Sequence, residues 1–418
     1  MASIAEPQLI VWVALDENCG SVQDNNGTSI HYHPNSDLDC PPWFESANVK
    51  RLKIQLGKDY ACFSKLPIAL HQGVVLLEIL RHQYPFQIHY ATSPETALEY
   101  LSTLSEFEKR KAMVWLNAHL DVHPHTWMVA YDTLSHIRGS IFPPRDEIIW
   151  ADFKIYDVKA FDRIAADMKT YRPLICFPGT RNVCCIPKGA KSVMKRSHSC
   201  SGNQVSFVRA NSRGISACSS SIVGRDEDIE KYYRWMHQEF VPSLINFGEF
   251  RVFIATRPDG RGSREPYVVS VLRTCWTNTK RGPILSIDKQ MPGGVGKHFN
   301  AVIIGMEDYF SECPMISYSM LGNFALEVYR RLWRSGERGF QSLDVGGRLN
   351  IGIAQDGKQL FVNELTRWYG AHQFAATVRD APCDKICRAY TEAFAETRSS
   401  KSHCSGEGEG VGVRRRNH

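Results

Sequence analysis

The chain has 418 residues, 43% of them hydrophobic, and a formal net charge of +6. That is enough apolar matter for two or three packed units, and no apolar run reaches the roughly 18 residues of a membrane span. The tail from Arg398 onward carries five basic and two acidic residues, so the remainder is near neutral and offers no basic face to nucleic acid.

Thirteen cysteines are scattered along the chain, and only Cys184-Cys185 and Cys383 with Cys387 lie close together. Neither pair has zinc-ligand partners at useful spacing, which predicts a reducing, cytoplasmic setting with buried free thiols.

In chain order, residues 9–15 (LIVWVAL) lie between Glu6 and Asp16-Glu17. They have no basic flank and no small-residue cleavage site, so a buried strand is expected rather than a signal peptide. Residues 68–80 (IALHQGVVLLEIL) predict a buried helix or helix–strand pair. Residues 94–112 are amphipathic, with Ala97, Leu98, Leu101 and Leu104 on one side. His119, His123 and His125 surround Pro124, which breaks the helix that would align them on zinc, so a surface cluster is expected. Residues 1–145 together predict an N-terminal α/β domain.

Residues 148–169 predict a strand-like piece and then a helix (DVKAFDRIAADMK), ended by PLICFP at 173–178. Strands are expected at 182–187 and 190–195, followed by a small polar loop at 196–204 (RSHSCSGNQ). Cys200 in that loop has no neighbour that marks it as a nucleophile. A helix is expected at 227–238, long strands at 249–255 and 267–273, and a strong helix at 320–334. MPGGVGKHF at 291–299 lacks both the first glycine and the Ser/Thr of a P-loop and is expected to be a loop. From about residue 397 the composition predicts disorder.

Residues 348–370 (RLNIGIAQDGKQLFVNELTRWYG) form two apolar runs around Asp356-Gly357, the pattern of a hairpin. Charged groups inside a buried sheet are costly unless they are paired or bind a metal. A three-residue loop with Gly357 left-handed in a bulge sorts polar from apolar residues best. It places Arg348 opposite Glu364 and Asn350 opposite Val362. Arg348, Asn350, Glu364 and Thr366 then share one face. Leu349, Ile351, Ile353, Phe361, Leu365 and Asn363 take the other. One reading is a structural Arg348–Glu364 pair worth roughly 0.2–1 kcal/mol. The other is a magnesium site, because magnesium takes hard oxygen ligands and substrate phosphates.

Arg348-Leu-Asn350, the hairpin, and Asn363-Glu-Leu-Thr-Arg-x-x-Gly370 resemble the C-terminal hairpin of the ATP-grasp superfamily, such as the D-alanine–D-alanine ligases. The pattern there is R-x-D, a hairpin, then N-E-x-N. Asn350 replaces the Asp and Thr366 the last Asn, a weakened metal set. The resemblance implies an α/β chain of α+β subdomains, the ATP-grasp fold, behind an N-terminal α/β domain. It implies Mg²⁺ (one ion or two) on Glu364, Asn350 and Thr366, and Arg348 on the reacting acyl group. KSVMKRSHSCSGNQV at 191–205 resembles the strand-end lysine and phosphate loop, with Lys195, Ser199 and Gly202 facing ATP. HQEFVPS at 237–243 resembles the adenine hinge, with Gln238, Glu239 and Val241, where an acid such as Glu239 can hold the ribose. GEFRVFI at 248–254 resembles the strand whose Arg251 orients a carboxylate, and Lys159 in DVKAF matches the earlier nucleotide lysine. The subdomain limits implied are 146–240, 241–396 and a tail at 397–418.

This resemblance implies an ATP- and magnesium-dependent carboxylate–amine ligase that acts on small molecules through an acyl phosphate. Arg273, Trp276, Trp368, Tyr369 and His372 fall where an acceptor would bind, and could equally be core. The wording TRWYGA looks most like fungal ATP-grasp proteins, some from secondary-metabolite gene clusters. The alternative is an ATP-binding assembly factor of the cell-division-cycle 123 type, which acts on a protein partner.

Overall fold

A computed structural model describes residues 8–15, 22–23, 29–30, 76–77, 79–81, 83–91, 93–118, 124–152, 154–176, 185–196, 205–209, 235–260, 263–276, 299–303, 316–371 and 382–404. The chain is mixed α/β; its described residues form a four-stranded parallel sheet, antiparallel sheets of four and five strands, and a two-stranded antiparallel ribbon.

The first sheet is parallel. It is formed by β1 (Gln8–Leu15), β2 (Phe86–Ala91), β3 (Met113–Ala118) and β4 (Ser140–Phe142), in the order β2-β1-β3-β4. Ile10 to Val13 are all fully buried, as a strand covered on both faces requires. Helices α1 (Pro94–Ser102), α2 (Glu106–Lys111) and α3 (Pro124–Thr133) belong to this layer. The amphipathic stretch expected at 94–112 is therefore two helices. Thr103 caps the end of the first and Ser105 the start of the second: Ser105 Oγ accepts from Glu108 N, while Glu108 Oε2 accepts from Ser105 N at 2.8 Å. Pro124 begins α3 rather than breaking it, a position at which proline loses no helical hydrogen bond.

Residues 148–152, expected to be strand-like, belong to α4 (Arg145–Asp152). Asp146 and Glu147 fill its first turn, where acids favour a helix start. Helix α5 (Ile155–Met168) follows, and Lys169 closes it in the left-handed conformation.

The second sheet is antiparallel, in the order β5-β8-β6-β7, from β5 (Ile175–Cys176), β6 (Lys191–Arg196), β7 (Val205–Arg209) and β8 (Trp235–Glu239). The end of the helix expected at 227–238 is thus a strand. Pairing with β5 on one side and β6 on the other overrides the local helical pattern. Residues 185–190 form turns and a bend, not the expected strand. The polar loop at 197–204, residues 291–298 of the expected loop MPGGVGKHF, and His119, His123 and Cys200 lie outside the described residues.

The third sheet carries the site. Its order is β11-β10-β9-β12-β13, from β9 (Glu249–Pro258), β10 (Arg264–Trp276), β11 (Phe299–Ile303), β12 (Gly346–Ile353) and β13 (Leu360–Arg367). Helix α6 (Ser243–Asn246) leads into it. Helix α7 (Tyr318–Arg334) and the 3-10 turn Arg338–Asp344 cover one face, where Leu349, Ile351, Ile353, Val362 and Leu365 pack with Leu321, Val328 and Leu332.

After β13 come α8 (Trp368–Ala371) and α9 (Pro382–Cys404). Ile386, Tyr390, Ala393, Phe394 and Thr397 form a buried helical stripe. The helix therefore runs past residue 397, where disorder was expected to begin. One core joins Trp12 and Trp115 of the first sheet, Phe253 of the third, Trp368, and Tyr390 and Phe394 of α9.

Candidate functional site

The hairpin β12–β13 turns through residues 355–358. Ala354 N donates to Gln359 O at 2.7 Å, and Gly357 sits at φ +70 in the turn. Asp356 Oδ1 accepts from Lys358 N and Gln359 N, which fixes the corner. The loop has four residues instead of the expected three, so the pairing differs from expectation. Arg348 lies opposite Thr366 and Asn350 opposite Glu364. A bulge leaves Asn363 unpaired between Glu364 and Val362. That extra residue restores the face: Arg348, Asn350, Glu364 and Thr366 still share one side. Phe361 pairs with Gly352 rather than joining Ile351 and Ile353, and its ring meets Tyr171 edge-on at 5.4 Å.

The neighbouring strand completes the row. Arg251 of β9 lies opposite Asn350, so Arg251, Asn350 and Glu364 align across three strands. Glu249, two residues before Arg251, faces the same way.

Hydrogen bonds tie the set together. Arg348 is 2% exposed. Its Nε donates to Asn350 Oδ1 at 2.9 Å and its Nη2 to Thr366 Oγ1 at 2.9 Å. Asn350 Nδ2 donates to Glu364 Oε2 at 3.1 Å. Lys154 Nζ, at the start of α5, donates to Glu364 Oε1 at 2.7 Å. Lys195 Nζ donates to Asn363 Oδ1 at 3.3 Å, and Asn363 Nδ2 donates to Glu249 Oε1 at 2.7 Å. Asn363, expected on the apolar face, thus links the strand-end lysine to the acid of β9.

Electrostatics follow from this packing. Burial alone would lift the Glu364 carboxyl, but Lys154, Arg348 and Lys195 outweigh it and hold it down at about 2. Burial pulls Lys195 down to about 8, against the pull of Glu249 and Glu364. Burial and the adjacent Arg251 bring Arg348 to about 9. Glu249 is pushed up by burial despite Arg251. Four cations (Lys154, Lys195, Arg251 and Arg348) therefore meet two carboxylates on one sheet face, an excess of positive charge that suits a polyanion.

The structure brings together Lys195, Arg251, Arg348, Asn350, Glu364 and Thr366 among the residues singled out in the sequence. It does not bring Lys159 there: that side chain is exposed on α5. The lysine near the start of α5 that reaches Glu364 is Lys154, five residues earlier. Sequence reasoning missed it, together with Glu249 and the linking role of Asn363. Ser199 and Gly202 lie outside the described residues.

In the segment expected to be the adenine hinge, Gln238 and Val241 are buried. Glu239 Oε2 accepts from Leu174 N at 3.0 Å and Tyr171 OH at 3.4 Å, while Glu239 N donates to Leu174 O. That carboxylate holds the irregular stretch that leads into β5. Trp368 is fully buried among Trp115, Phe142, Tyr390 and Phe394, and so is core rather than acceptor pocket. Tyr369 stands edge-on to Phe142, and Arg273 Nε donates to Phe247 O at 2.7 Å. His372 and the Trp276 side chain lie outside the described residues.

Magnesium takes hard oxygen ligands. Among the described residues no three His, Cys, Asp or Glu gather as for a metal ion. Asn350 turns its oxygen to Arg348 and its amide nitrogen to Glu364, so it serves as a bridge rather than a ligand. Thr366 Oγ1 faces Arg348. Glu364 on β13 and Glu249 on β9, the strands on either side of β12, remain as hard anionic donors. Such a pair fits a magnesium held by one or two carboxylates and substrate phosphates, not one in an all-protein cage.

No family profile matches the chain, and no curated protein matches it. Among solved structures, the chain is similar to the D-cycloserine synthetase DcsG, at 14% identity and a TM-score of 0.49, over 93% of this chain and 99% of that one. A D-alanine–D-alanine ligase from Bacillus anthracis aligns over 94% of this chain and 99% of its own, at 10% identity and a TM-score of 0.42. An L-amino acid ligase from Bacillus licheniformis aligns over 87% and 68%, at 12% identity and a TM-score of 0.40.

Proposed function

We propose that the chain is an ATP-grasp enzyme that joins a small-molecule carboxylic acid to an amine, using ATP with magnesium. The observation that carries this reading is the convergence of Lys154, Lys195, Arg251 and Arg348 on Glu364 and Glu249 across one sheet face. Charge of this density and sign matches a triphosphate better than a structural ion pair, which would need one cation per carboxylate.

In this reading Lys195 and Lys154 neutralise the phosphates, and Glu364 and Glu249 hold the magnesium, which screens phosphate charge when bound. The acid's carboxylate attacks the γ-phosphorus, ADP leaves, and an acyl phosphate forms. The amine then attacks the acyl carbon and phosphate leaves. Arg251 orients the carboxylate by its fork. Arg348, buried and braced by Asn350 and Thr366, donates to the oxyanion that develops on the acyl carbon. Its fixed geometry matters, because a pre-aimed donor needs no reorganisation during reaction.

A second reading keeps ATP binding without ligation, as in an assembly factor. It rests on Asn350, which brings an amide where a carboxylate would add negative charge. The test is ADP release with panels of acids and amines. Release that needs both partners supports the ligase. Nucleotide binding with no turnover on any pair supports the second reading.

A further inference from the structure

Strand β13 meets the start of α5 twice. Glu364 Oε1 accepts from Lys154 Nζ at 2.7 Å. Three residues later on both elements, Arg367 meets Asp157: Nη2 donates to Oδ1 at 2.8 Å and Nη1 to Oδ2. The two contacts differ in burial. The Lys154 and Glu364 side chains keep 27% and 31% exposure, whereas Arg367 and Asp157 keep 2% and 4%.

The buried pair is anchored on several sides. Arg367 Nη2 donates to Gly339 O at 2.7 Å in the 3-10 turn, and its Nε lies 3.6 Å from Glu147 Oε1 of α4. Glu147 Oε2 in turn accepts from Ser342 N at 3.1 Å, and Ser342 Oγ donates to Oε1. Removing one partner of such a set leaves a buried charge uncompensated, so the arrangement holds its shape firmly.

Lys154 is held in an unusual state. It stands at the cap of α5 with φ +23 and ψ −18, and its side chain makes no cap hydrogen bond. A non-glycine residue in that region is strained and persists only where its surroundings impose it. A cation at a helix start also opposes the helix dipole. Asp157, in the same first turn, supplies the opposing charge and the link to the hairpin.

We infer that Asp157 and Arg367 are positioning residues, which fix the start of α5 so that Lys154 reaches both Glu364 and an incoming phosphate. This inference rests on the ATP-site reading above. In the free protein Lys154 rests on Glu364. With nucleotide bound it exchanges that partner for phosphate, while the buried pair keeps its backbone in place.

The test is a double-mutant cycle read by calorimetric Mg-ATP binding to the full chain: wild type, Asp157→Asn, Lys154→Ala and the double variant. Asp157→Asn should weaken binding about tenfold when Lys154 is present, within the range of couplings in one hydrogen-bonded network. It should have no further effect in the Lys154→Ala background. Equal weakening in both backgrounds, or none in the first, overturns the inference. Should Asp157→Asn fail to fold, Arg367→Lys keeps the charge, loses the bidentate fork and runs the same cycle. Absence of Mg-ATP binding to the wild type sinks the ATP-site reading and this inference together, whereas an additive cycle sinks this inference alone.

Discussion

Glu364→Gln is the sharpest perturbation of the charge cluster. The wild-type carboxyl is held at about 2 against an ordinary value of 4.5, because Lys154, Arg348 and Lys195 outweigh burial. That difference corresponds to about 3 kcal/mol of folding free energy. The side chain keeps 31% exposure, so solvent screening reduces the expected loss to about 1–2 kcal/mol. The sign with pH is fixed. A depressed carboxyl contributes stability above its unfolded value and loses it as pH falls through the folded one. Urea unfolding at pH 7 should therefore place Glu364→Gln about 1–2 kcal/mol below wild type. The gap should close as pH falls from 4.5 towards 2. A gap that is absent at pH 7, or that does not change with pH, refutes the reasoning that the cations are organised around this carboxylate.

Lys195→Met should act in the opposite direction. Burial holds this lysine at about 8, so the fold disfavours its charge, and wild-type stability rises with pH from about 8 to the ordinary lysine range. At pH 7 the methionine variant should be about 1–2 kcal/mol more stable in urea while losing Mg-ATP binding; a less stable variant contradicts this. Glu147, pushed up to about 7 by burial against the pull of Arg367, makes wild-type stability fall between its ordinary 4.5 and about 7. Glu147→Gln should flatten that part of the pH–stability curve measured by urea midpoints. Trp368→Ala should cost about 3–5 kcal/mol by cavity formation. In thermal melts its effect should be the same with or without acceptor amines, because the ring packs in the core.

Much of the scaffold was legible because its signals are local. Residues 9–15 read as a buried strand and are one, and the period of α7 is plain from residue 320 onward. The hairpin was legible from Asp356-Gly357, but its register was not. The extra loop residue and the bulge at Asn363 cancel, so the polar face came out as expected from the wrong pairing. Glu249 could have been found by alternation, since it stands two residues before Arg251 on one strand. Lys154 could not: it precedes a helix without a capping side chain, and only contact across 210 positions with Glu364 singles it out. Lys159 lies on the exposed side of α5, a distinction that depends on packing. Trp368 shows the same limit, since an aromatic beside a site has the same sequence signal whether it lines a pocket or fills a core. The strand at Trp235–Glu239 was hidden because its pairing partners lie far away in the chain.

The most direct test of the proposed ATP site is a thermal melt of wild type, Lys195→Ala and Glu364→Ala, with and without Mg-ATP. Ligand at about 100 times its dissociation constant should add about 2.7 kcal/mol to the wild type and nothing to either variant. A wild type that does not shift, or variants that shift as much as it does, would contradict a nucleotide site on this hairpin.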